Sequence, residues 1–477
     1  MPDLDGTWDL FVLGAGPGGY AAAFAAADHG LGVALCDLEA NPGGVCLYRG
    51  CIPSKALLHA AAIIRESRRA SIMGIDFAAP SIDVEHLRRW QDGVVQRLTA
   101  GLGGLARTRR IHYLQGRATL LDAHRARVVA ADGSSSEVLF EHLLVATGSR
   151  PVMPPEFAAE SPRVVEASTA LRLDQVPRRL LIVGGGYIGT ELATIYTAIG
   201  ARVTLVELTP GLLPGMDREL TRVLEAKLKA EIAELMLGTA VLAAEDTGAA
   251  VRVQFSTGAT AEYDRVLVAV GRRPNTEGFG LELSGARLNR QGFVEVDEER
   301  RSGSSTTFAV GDVTGPPLLA HKASSEGRVA AAVMAGHEER YRPRAVPSVV
   351  YTDPEVAWCG LSEGEAAIQG HRVRTTSFPW AASGRAWTEG HTEGMTKLVF
   401  DEEAGTVLGV GIVGAGAGEL IAEGVLAVEI GLRAQDLATV IHPHPTLSET
   451  MMEAAELYGG HATHYYGRQR MSADRSG

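Results

Sequence analysis

The chain is poor in cysteine, in aromatic residues and in long apolar runs. Only 4 of its 477 residues are cysteine, and 6% are aromatic. So few cysteines cannot form the disulfide framework of a secreted protein. No apolar run approaches the roughly 20 residues of a membrane-spanning helix. The start, Met-Pro-Asp-Leu-Asp, lacks the basic and apolar segments of an export signal. The sequence therefore predicts a cytoplasmic protein.

Positive charge is also in deficit. Lysine and arginine number 45 against 57 acidic residues, which gives a net charge of −12. This balance argues against a nucleic-acid partner or an anionic membrane surface. At about 150 residues per domain, the length predicts several domains. Glycine, by contrast, is abundant at 56 residues, as expected where tight turns approach bound nucleotides.

Glycines recur in two units of the same design. In each, an apolar strand leads into a glycine loop and a helix, and a second strand ends in an acidic residue at the same distance from the first glycine. Strand, loop, helix and acid together predict a βαβ dinucleotide-binding unit, with phosphate at the helix N-terminus and ribose at the acid. These residues are Gly14, Gly16, Gly19 and Asp37 in the first unit and Gly184, Gly186, Gly189 and Glu207 in the second.

The acid of the second unit also indicates which nucleotide binds there. A 2′-phosphate beside Glu207 would meet a charge of its own sign. The sequence therefore predicts NAD rather than NADP at the second unit.

A close cysteine pair, Cys46 and Cys51, follows the first glycine loop. On a regular helix five residues climb about 7.5 Å, more than the roughly 4.4–6.8 Å between Cα atoms in a disulfide. We therefore expect tighter local winding, permitted by Gly50 and Pro53. A bond that closes so small a loop adds little stability. The spacing thus favours a redox dithiol.

Two alternatives for this pair remain open on the motif alone. The first is that the pair forms half of a zinc site. Zinc prefers four ligands, however, and the other cysteines, Cys36 and Cys359, are isolated in the sequence, so no metal site is predicted. Two unreactive buried thiols are the second alternative.

Several segments together resemble the flavoprotein disulfide reductases, the class I pyridine nucleotide-disulfide oxidoreductases. Within that family the chain is most similar to the dihydrolipoamide dehydrogenases, and the resemblance covers essentially the whole chain. The matching segments are both glycine units and residues 43–55, 146–148, 310–312, 319–322, 351–357, 378–386 and 442–449.

The resemblance implies an α/β fold with two Rossmann-like dinucleotide-binding domains and an α+β C-terminal dimerisation domain. The expected boundaries are 1–150 for an FAD-binding domain, 151–275 for an NAD-binding domain, 276–346 for a central domain that completes the FAD site, and 347–477 for the interface domain of a homodimer.

The resemblance also implies roles for the dithiol and its neighbours. Cys51 would be the charge-transfer thiolate against the flavin, and Cys46 the outer thiol that exchanges with substrate. Lys55, one helical turn past Cys51, would lie near the flavin and pair with Glu191.

A histidine and a carboxylate complete the implied catalytic site. A thiol must lose its proton before it attacks a disulfide, and an imidazole titrates near the working pH. His444 would be this base, with Glu449 fixing its tautomer, and it would reach the dithiol of the opposite subunit. His442 is not the matching position. Pro443 departs from the small residue common in relatives and would stiffen the loop.

The cofactor contacts implied by the resemblance fall on both glycine units and beyond them. Those for FAD are Gly14, Gly16, Gly19, Asp37, Gly44, Lys55, Gly116, Thr147, Gly148, Asp312 and Ala320. Those for NAD are Gly184, Gly186, Tyr187, Ile188, Gly189, Glu207, Val241 and Gly271.

The implied activity is oxidation of dihydrolipoyl groups on a partner protein with NAD⁺. The partner would be the acyltransferase core of a 2-oxoacid dehydrogenase complex or the carrier of the glycine cleavage system, and the choice between them stays open. One alternative activity is that of a glutathione reductase, which Glu207 disfavours. Another is that of a mercuric reductase, but such enzymes typically carry a C-terminal cysteine pair, which is absent here. A scaffold that keeps the fold without redox activity would need neither the dithiol nor His444.

Overall fold

The computed structural model describes residues 6–157 and 160–466. Residues 1–5, on which the prediction about an export signal rests, lie outside these ranges. No helix within these two ranges is long and apolar enough to cross a membrane.

The strands are β1 Thr7–Leu13, β2 Val33–Asp37, β3 His112–Gln115, β4 Arg117–Leu120, β5 Arg125–Val129, β6 Ser135–Val145, β7 Ser149–Pro151, β8 Val164–Glu166, β9 Arg179–Val183, β10 Arg202–Val206, β11 Glu234–Met236, β12 Val241–Asp246, β13 Val251–Phe255, β14 Thr260–Tyr263, β15 Arg265–Val268, β16 Arg272–Pro274, β17 Thr307–Ala309, β18 Ser348–Val350, β19 Glu355–Gly360, β20 Val373–Pro379, β21 Met395–Asp401 and β22 Val407–Gly414. The α-helices are α1 Pro17–Asp28, α2 Gly44–Arg49, α3 Cys51–Arg69, α4 Val84–Thr108, α5 Ala167–Ala170, α6 Tyr187–Ala198, α7 Arg218–Glu231, α8 Ala320–Met334, α9 Glu363–Ile368, α10 Gly384–Glu389, α11 Ala417–Ile430, α12 Ala434–Thr439 and α13 Glu449–Glu456.

The chain forms two compact units, and each consists of two stretches of sequence. The first contains the chain up to Val176 together with Leu267–Arg342, and the second contains Pro177–Val266 together with the chain from Pro343 onward. The finer division into four domains at 150, 275 and 346 stays a prediction.

The first unit is built on a seven-stranded sheet in the order β3-β2-β1-β6-β5-β4, with β17 also paired to β6. Its centre is parallel, and its strands are almost wholly apolar because both faces are buried. Helices α1 and α8 pack together on one face, where small residues allow close approach. A Cβ built on Gly327 would lie 2.5 Å from the Gly18 carbonyl oxygen.

The second unit contains a parallel sheet, β11-β10-β9 continued by β15, and a three-stranded meander, β12-β13-β14. A five-stranded antiparallel sheet, β18-β19-β22-β21-β20, carries α11 and α13. Its core includes Trp380, Phe378 and Phe400. Both predicted βαβ units are present, as β1-α1-β2 in the first unit and β9-α6-β10 in the second.

Candidate active site

The first glycine loop has a backbone that only glycine can supply at two positions. Gly14 has φ of +98°, and a Cβ on Gly19 would lie 1.8 Å from the Gly14 carbonyl oxygen. A Cβ on Gly16 would have its nearest neighbour at 3.9 Å, so open space lies in front of the N-terminus of α1. The loop therefore fits the pyrophosphate of a dinucleotide, because backbone and phosphate can approach closely there.

Asp37 braces this loop. Its Oδ2 atom accepts a 2.6 Å hydrogen bond from the Ala15 N–H, and its Oδ1 atom accepts one of 3.1 Å from the Glu39 N–H. Its carbonyl oxygen also accepts from the Gly116 N–H at 2.8 Å. A carboxylate has about four lone-pair sites. Asp37 can therefore brace the loop and still accept a bond from ribose.

The second glycine loop is held in the same way, by the longer side chain of Glu207. Glu207 is 8% exposed, and its two oxygens accept from the Gly185 N–H at 2.6 Å and from the Thr209 N–H at 2.7 Å. Gly184 has φ of +108°, and a Cβ on Gly189 would lie 1.9 Å from its carbonyl oxygen. The sequence predicted the acid as a ribose acceptor but missed its second task, bracing the loop.

The other predicted NAD contacts are spread over both units. Tyr187 and Ile188 are the first residues of α6, and Val241 is the first residue of β12, all in the second unit. Gly271 lies in the first unit with φ of +137°. Their common role toward NAD stays a prediction.

The cysteine pair spans a break between two helices. Cys46 lies on α2 and Cys51 is the first residue of α3, with Gly50 between the helices at φ −139° and ψ −106°. A Cβ on Gly50 would be 3.0 Å from the Val45 carbonyl oxygen. The expected tighter winding is thus replaced by a helix break at Gly50, and Pro53 lies in the first turn of α3.

The interaction of the Cys46 thiol with Cys51 and the burial of Cys46 raise its pKa, whereas the charge of Lys55 acts to lower it. The two thiols are therefore close enough to affect each other. The arrangement can alternate between a dithiol and a disulfide, with Lys55 positioned to stabilise negative charge on sulfur.

The predicted partner of Lys55 lies in the other unit. Glu191 on α6 is 4% exposed and accepts a 3.1 Å hydrogen bond from the Tyr351 N–H. A Lys55–Glu191 pair would therefore join residues of different units. This pair stays a prediction.

The remaining predicted FAD contacts lie in the first unit. The Thr147 hydroxyl donates to the Asn275 carbonyl oxygen at 2.6 Å, and Gly148 has φ of +70°. Asp312 accepts from the Ser149 hydroxyl at 2.5 Å. Ala320 opens α8. Ser149 was missed in the sequence because it lies 163 residues from Asp312.

A buried ionic cluster holds the turn that carries Asp312. Glu326 is 1% exposed and accepts from the Gly311 N–H at 2.7 Å. The same carboxylate pairs with Arg300 at 3.1 Å and with Lys322 at 3.2 Å. The sequence offered one signal, the i,i+4 spacing of Lys322 and Glu326, which is typical of a helix-face ion pair.

His444 and Glu449 form a hydrogen-bonded pair in the second unit. Nδ1 of His444 lies 2.9 Å from Oε1 of Glu449, and Oε2 accepts from the Thr446 N–H at 2.7 Å. Burial raises the pKa of Glu449, but the Thr446 N–H, His444 and His464 outweigh it and lower this pKa below its ordinary value. Glu449 thus stays ionised, and Nε2 of His444 is the ring nitrogen left to accept a proton; the role of His444 as the base stays a prediction.

Two further histidines lie near this pair. The side chain of His442, to which the sequence gave no catalytic role, is 5% exposed, and its Nε2 atom lies 2.8 Å from a carboxylate oxygen of Glu423. His464 binds Glu453, one helical turn beyond Glu449 on α13, at 2.5 Å. The sequence analysis missed this second histidine–glutamate pair, because the two residues belong to no shared motif.

A cavity of about 220 Å³ opens beside both histidine–glutamate pairs. Its lining residues are Phe378, Ala382, Ser383, Gly384, Trp387, His444, Glu449, Thr450, Glu453 and His464.

Comparison with known proteins gives matches along nearly the whole chain. The pyridine nucleotide-disulphide oxidoreductase family matches residues 8–327, and its dimerisation domain matches residues 346–455. Dihydrolipoyl dehydrogenase from Haemophilus influenzae is 43% identical over 461 residues, 95% of each chain. The protein of that name from Halobacterium salinarum is 43% identical over 472 residues, 98% of this chain and 99% of its own.

Solved structures are similar over the same length. LpdA from Mycobacterium tuberculosis has a TM-score of 0.88 at 30% identity, covering 94% of this chain and 99% of its own. The HOCl-induced flavoprotein disulfide reductase RclA from Escherichia coli has a TM-score of 0.84 at 26% identity, covering 94% and 100%.

These matches confirm the predicted fold class, with its two Rossmann-like domains and its C-terminal dimerisation domain. The match to a dimerisation domain supports the predicted homodimer. The chain belongs to the pyridine nucleotide-disulphide oxidoreductase family.

Proposed function

We propose that this protein is a dihydrolipoyl dehydrogenase, which oxidises dihydrolipoyl groups with NAD⁺ through FAD and the Cys46–Cys51 pair. The observation that carries the proposal is the pair of interacting thiols, Cys46 on α2 and Cys51 at the start of α3, on the two sides of the Gly50 break. Relatives of that name, 43% identical over 95% of the chain, support the choice of substrate.

The reacting residues come from both units, the cysteine pair from the first and His444 from the second. A dihydrolipoyl thiol gives its proton to Nε2 of His444, and the resulting thiolate attacks the Cys46 sulfur of the disulfide, so Cys51 leaves as a thiolate. The second substrate thiol then displaces Cys46 and closes the lipoyl disulfide, and its proton passes to the Cys46 sulfur that leaves, so the protein keeps two electrons and one proton for NADH while the proton on His444 is released. In sum, the dihydrolipoyl group and NAD⁺ become the lipoyl group, NADH and one proton.

The residues of the two glycine loops and their neighbours fit both nucleotides. The loop at Gly16, the Asp37 carboxylate and the turn at Asp312 would hold FAD, which when bound supplies a two-electron acceptor between dithiol and nicotinamide. The loop at Gly186 would hold NAD. The buried Glu207 carboxylate there disfavours a 2′-phosphate.

We also propose a partner protein, a homodimer and a cellular location. The substrate would be a lipoyl group on another protein, from a 2-oxoacid dehydrogenase complex or the glycine cleavage system. His444 would serve the dithiol of the partner subunit in a homodimer. A cytoplasmic location suits the buried thiols Cys36 and Cys359, which a reducing compartment preserves.

The direct test measures NAD⁺ reduction by dihydrolipoamide with the purified protein, beside Cys46→Ser, Cys51→Ser and the buried-site control Cys359→Ser. We expect activity in the wild type and in the control, and none in the other two variants. Cys46→Ser should keep the long-wavelength absorbance of a thiolate against oxidised flavin, and Cys51→Ser should lose it. Identical spectra for these two would contradict the assignment of inner and outer thiols. Faster NADPH-linked reduction of glutathione disulfide would contradict the activity.

The shared site has its own test. Cys46→Ser and His444→Gln should each be nearly inactive with dihydrolipoamide, but mixed dimers should regain activity because one of their two sites holds both intact residues. Random association makes about half the dimers mixed, so about a quarter of wild-type sites should return. Mixed dimers without activity would place both residues in one subunit.

A further inference from the structure

A second histidine–carboxylate pair lies beside the first on the same helix. Glu449 and Glu453 are four residues apart on α13, so their side chains share one helix face. Each binds the Nδ1 atom of one histidine: His444 at 2.9 Å and His464 at 2.5 Å. Glu453 also accepts from the His464 N–H at 3.2 Å, which fixes the backbone of that residue as well as its ring.

The second pair has the burial expected of a working acid–base group. The Glu453 side chain is 3% exposed, whereas the His464 ring is 53% exposed. A buried carboxylate on Nδ1 holds the tautomer that leaves Nε2 as the proton acceptor, and it stabilises the imidazolium that forms. His464 can therefore take up a proton at Nε2 and release it to solvent.

The cavity joins the two pairs. Both histidines line it, and the hydroxyl residues Ser383 and Thr450 are part of the same wall. About 30 Å³ is the share of one liquid water, so 220 Å³ has room for several, and the imidazole and carboxylate groups of the two pairs are polar partners for them within an otherwise largely apolar lining. A water chain can thus connect His444 to His464.

Among residues 6–157 and 160–466, the charged groups that the hydrogen bonds and the cavity lining place around His464 belong mostly to α13. They are Glu453, which binds it; Glu449 and His444 across the cavity; and Glu456, which accepts from the Thr463 N–H at 3.2 Å. The cavity face formed by Phe378 and Trp387 is uncharged. His464 contributes to lowering the pKa of Glu449, so the two pairs are electrostatically coupled.

The proposed reaction creates a need for such a group. Each turnover releases one proton, and His444 receives it from the substrate thiol. In the proposed homodimer Nε2 of His444 serves the substrate and the dithiol of the partner subunit, so the proton that it accepts has to be passed on before the next turnover.

We propose that His464, oriented by Glu453, carries this proton from His444 to solvent through water in the shared cavity. The inference rests on the proposed function. The thiol proton passes to Nε2 of His444, then through water to Nε2 of His464, and then to bulk solvent. Both histidines end neutral, and no electrons move in these steps.

The test is rescue by an external proton carrier. In dilute buffer, His464→Ala should reduce NAD⁺ with dihydrolipoamide about tenfold more slowly than the wild type, within the range of acid–base contributions. Added imidazole should restore the rate, because it replaces the missing carrier. The matched control is His461→Ala, whose ring lies against Gly459 in the same segment. The control and the wild type should respond to imidazole equally little.

Other outcomes overturn the inference. A His464→Ala variant as fast as the wild type in dilute buffer would show that no carrier is needed. A slow variant that imidazole does not restore, with normal flavin content and thermal unfolding, would assign His464 a packing role. If the wild type itself does not oxidise dihydrolipoamide, the proposed function fails, and this result is separate from either outcome.

Discussion

Replacing Glu326 by glutamine should weaken both the first unit and its hold on FAD. The carboxylate is 1% exposed and faces two buried cations, Arg300 and Lys322, whose side chains are 10% and 7% exposed. It also accepts the Gly311 N–H at 2.7 Å. An amide of the same shape keeps an acceptor for Gly311 but removes the charge that both cations need.

The size of the effect follows from burial. Removing one partner of a buried ion pair costs about 3–5 kcal/mol. The hydrogen bond that glutamine can keep with Gly311 is worth about 1 kcal/mol, so we expect a loss near the lower end, about 3 kcal/mol. Gly311 precedes Asp312, one of the predicted FAD contacts. If half of the loss appears in binding, FAD affinity falls about tenfold.

Two measurements check this: urea unfolding of the FAD-loaded protein and release of FAD followed by its fluorescence. The control is Glu137→Gln, which breaks the exposed Arg127–Glu137 pair on β5 and β6 of the same unit. That pair is half exposed on both sides, so its loss should change neither measurement. Equal unfolding curves and equal FAD release for Glu326→Gln and the wild type would refute the reasoning.

Three further expectations follow from other sites. Glu207→Gln should narrow the preference for NAD over NADP, because it removes charge repulsion yet keeps an acceptor for the loop; an unchanged ratio of kcat/KM values would contradict this. Burial raises the pKa of Cys36 and of Cys359 to about 12, so iodoacetamide at neutral pH should label neither in the folded, reduced protein, and both after unfolding. The pKa of Glu449 is lowered in the folded state, so its ionised form stabilises the fold. The difference in unfolding free energy between the wild type and Glu449→Gln, measured by urea unfolding at each pH, should therefore be constant above about pH 5 and shrink as the pH falls below about 4.3. A difference independent of pH would show that the pKa of Glu449 is not lowered in the folded state.

The sequence predicted the parts of the fold that depend on local pattern. A strand, a glycine loop and a helix are adjacent in the chain, so the units at Gly14 and Gly184 could be recognised from spacing and confirmed as β1-α1-β2 and β9-α6-β10. The geometry at the cysteines was less accessible. Gly50 permits either tighter winding or a break, and the choice depends on contacts such as its approach to the Val45 carbonyl oxygen.

The contacts that the sequence did not predict join residues far apart in the chain. Arg300 and Glu326 are 26 positions apart, and Ser149 and Asp312 are 163 apart. Such pairs leave no periodic signal, because neither residue lies on the same element as its partner. His464 is a similar case, since only folding places it against Glu453 on α13.

The two glycine loops differ at the residue after the first glycine, and packing around the second loop gives a reason. That residue is Ala15 in one loop and Gly185 in the other, and each donates its N–H to the acid at 2.6 Å. A Cβ on Gly185 would lie 2.6 Å from the Leu212 side chain and 3.0 Å from the Glu207 Cβ, so a side chain at this position would displace its neighbours. The same packing keeps the Gly185 N–H beside the Glu207 carboxylate. Shortening Glu207 to aspartate would therefore have to be accompanied by a shift of the loop to keep the hydrogen bond to Gly185.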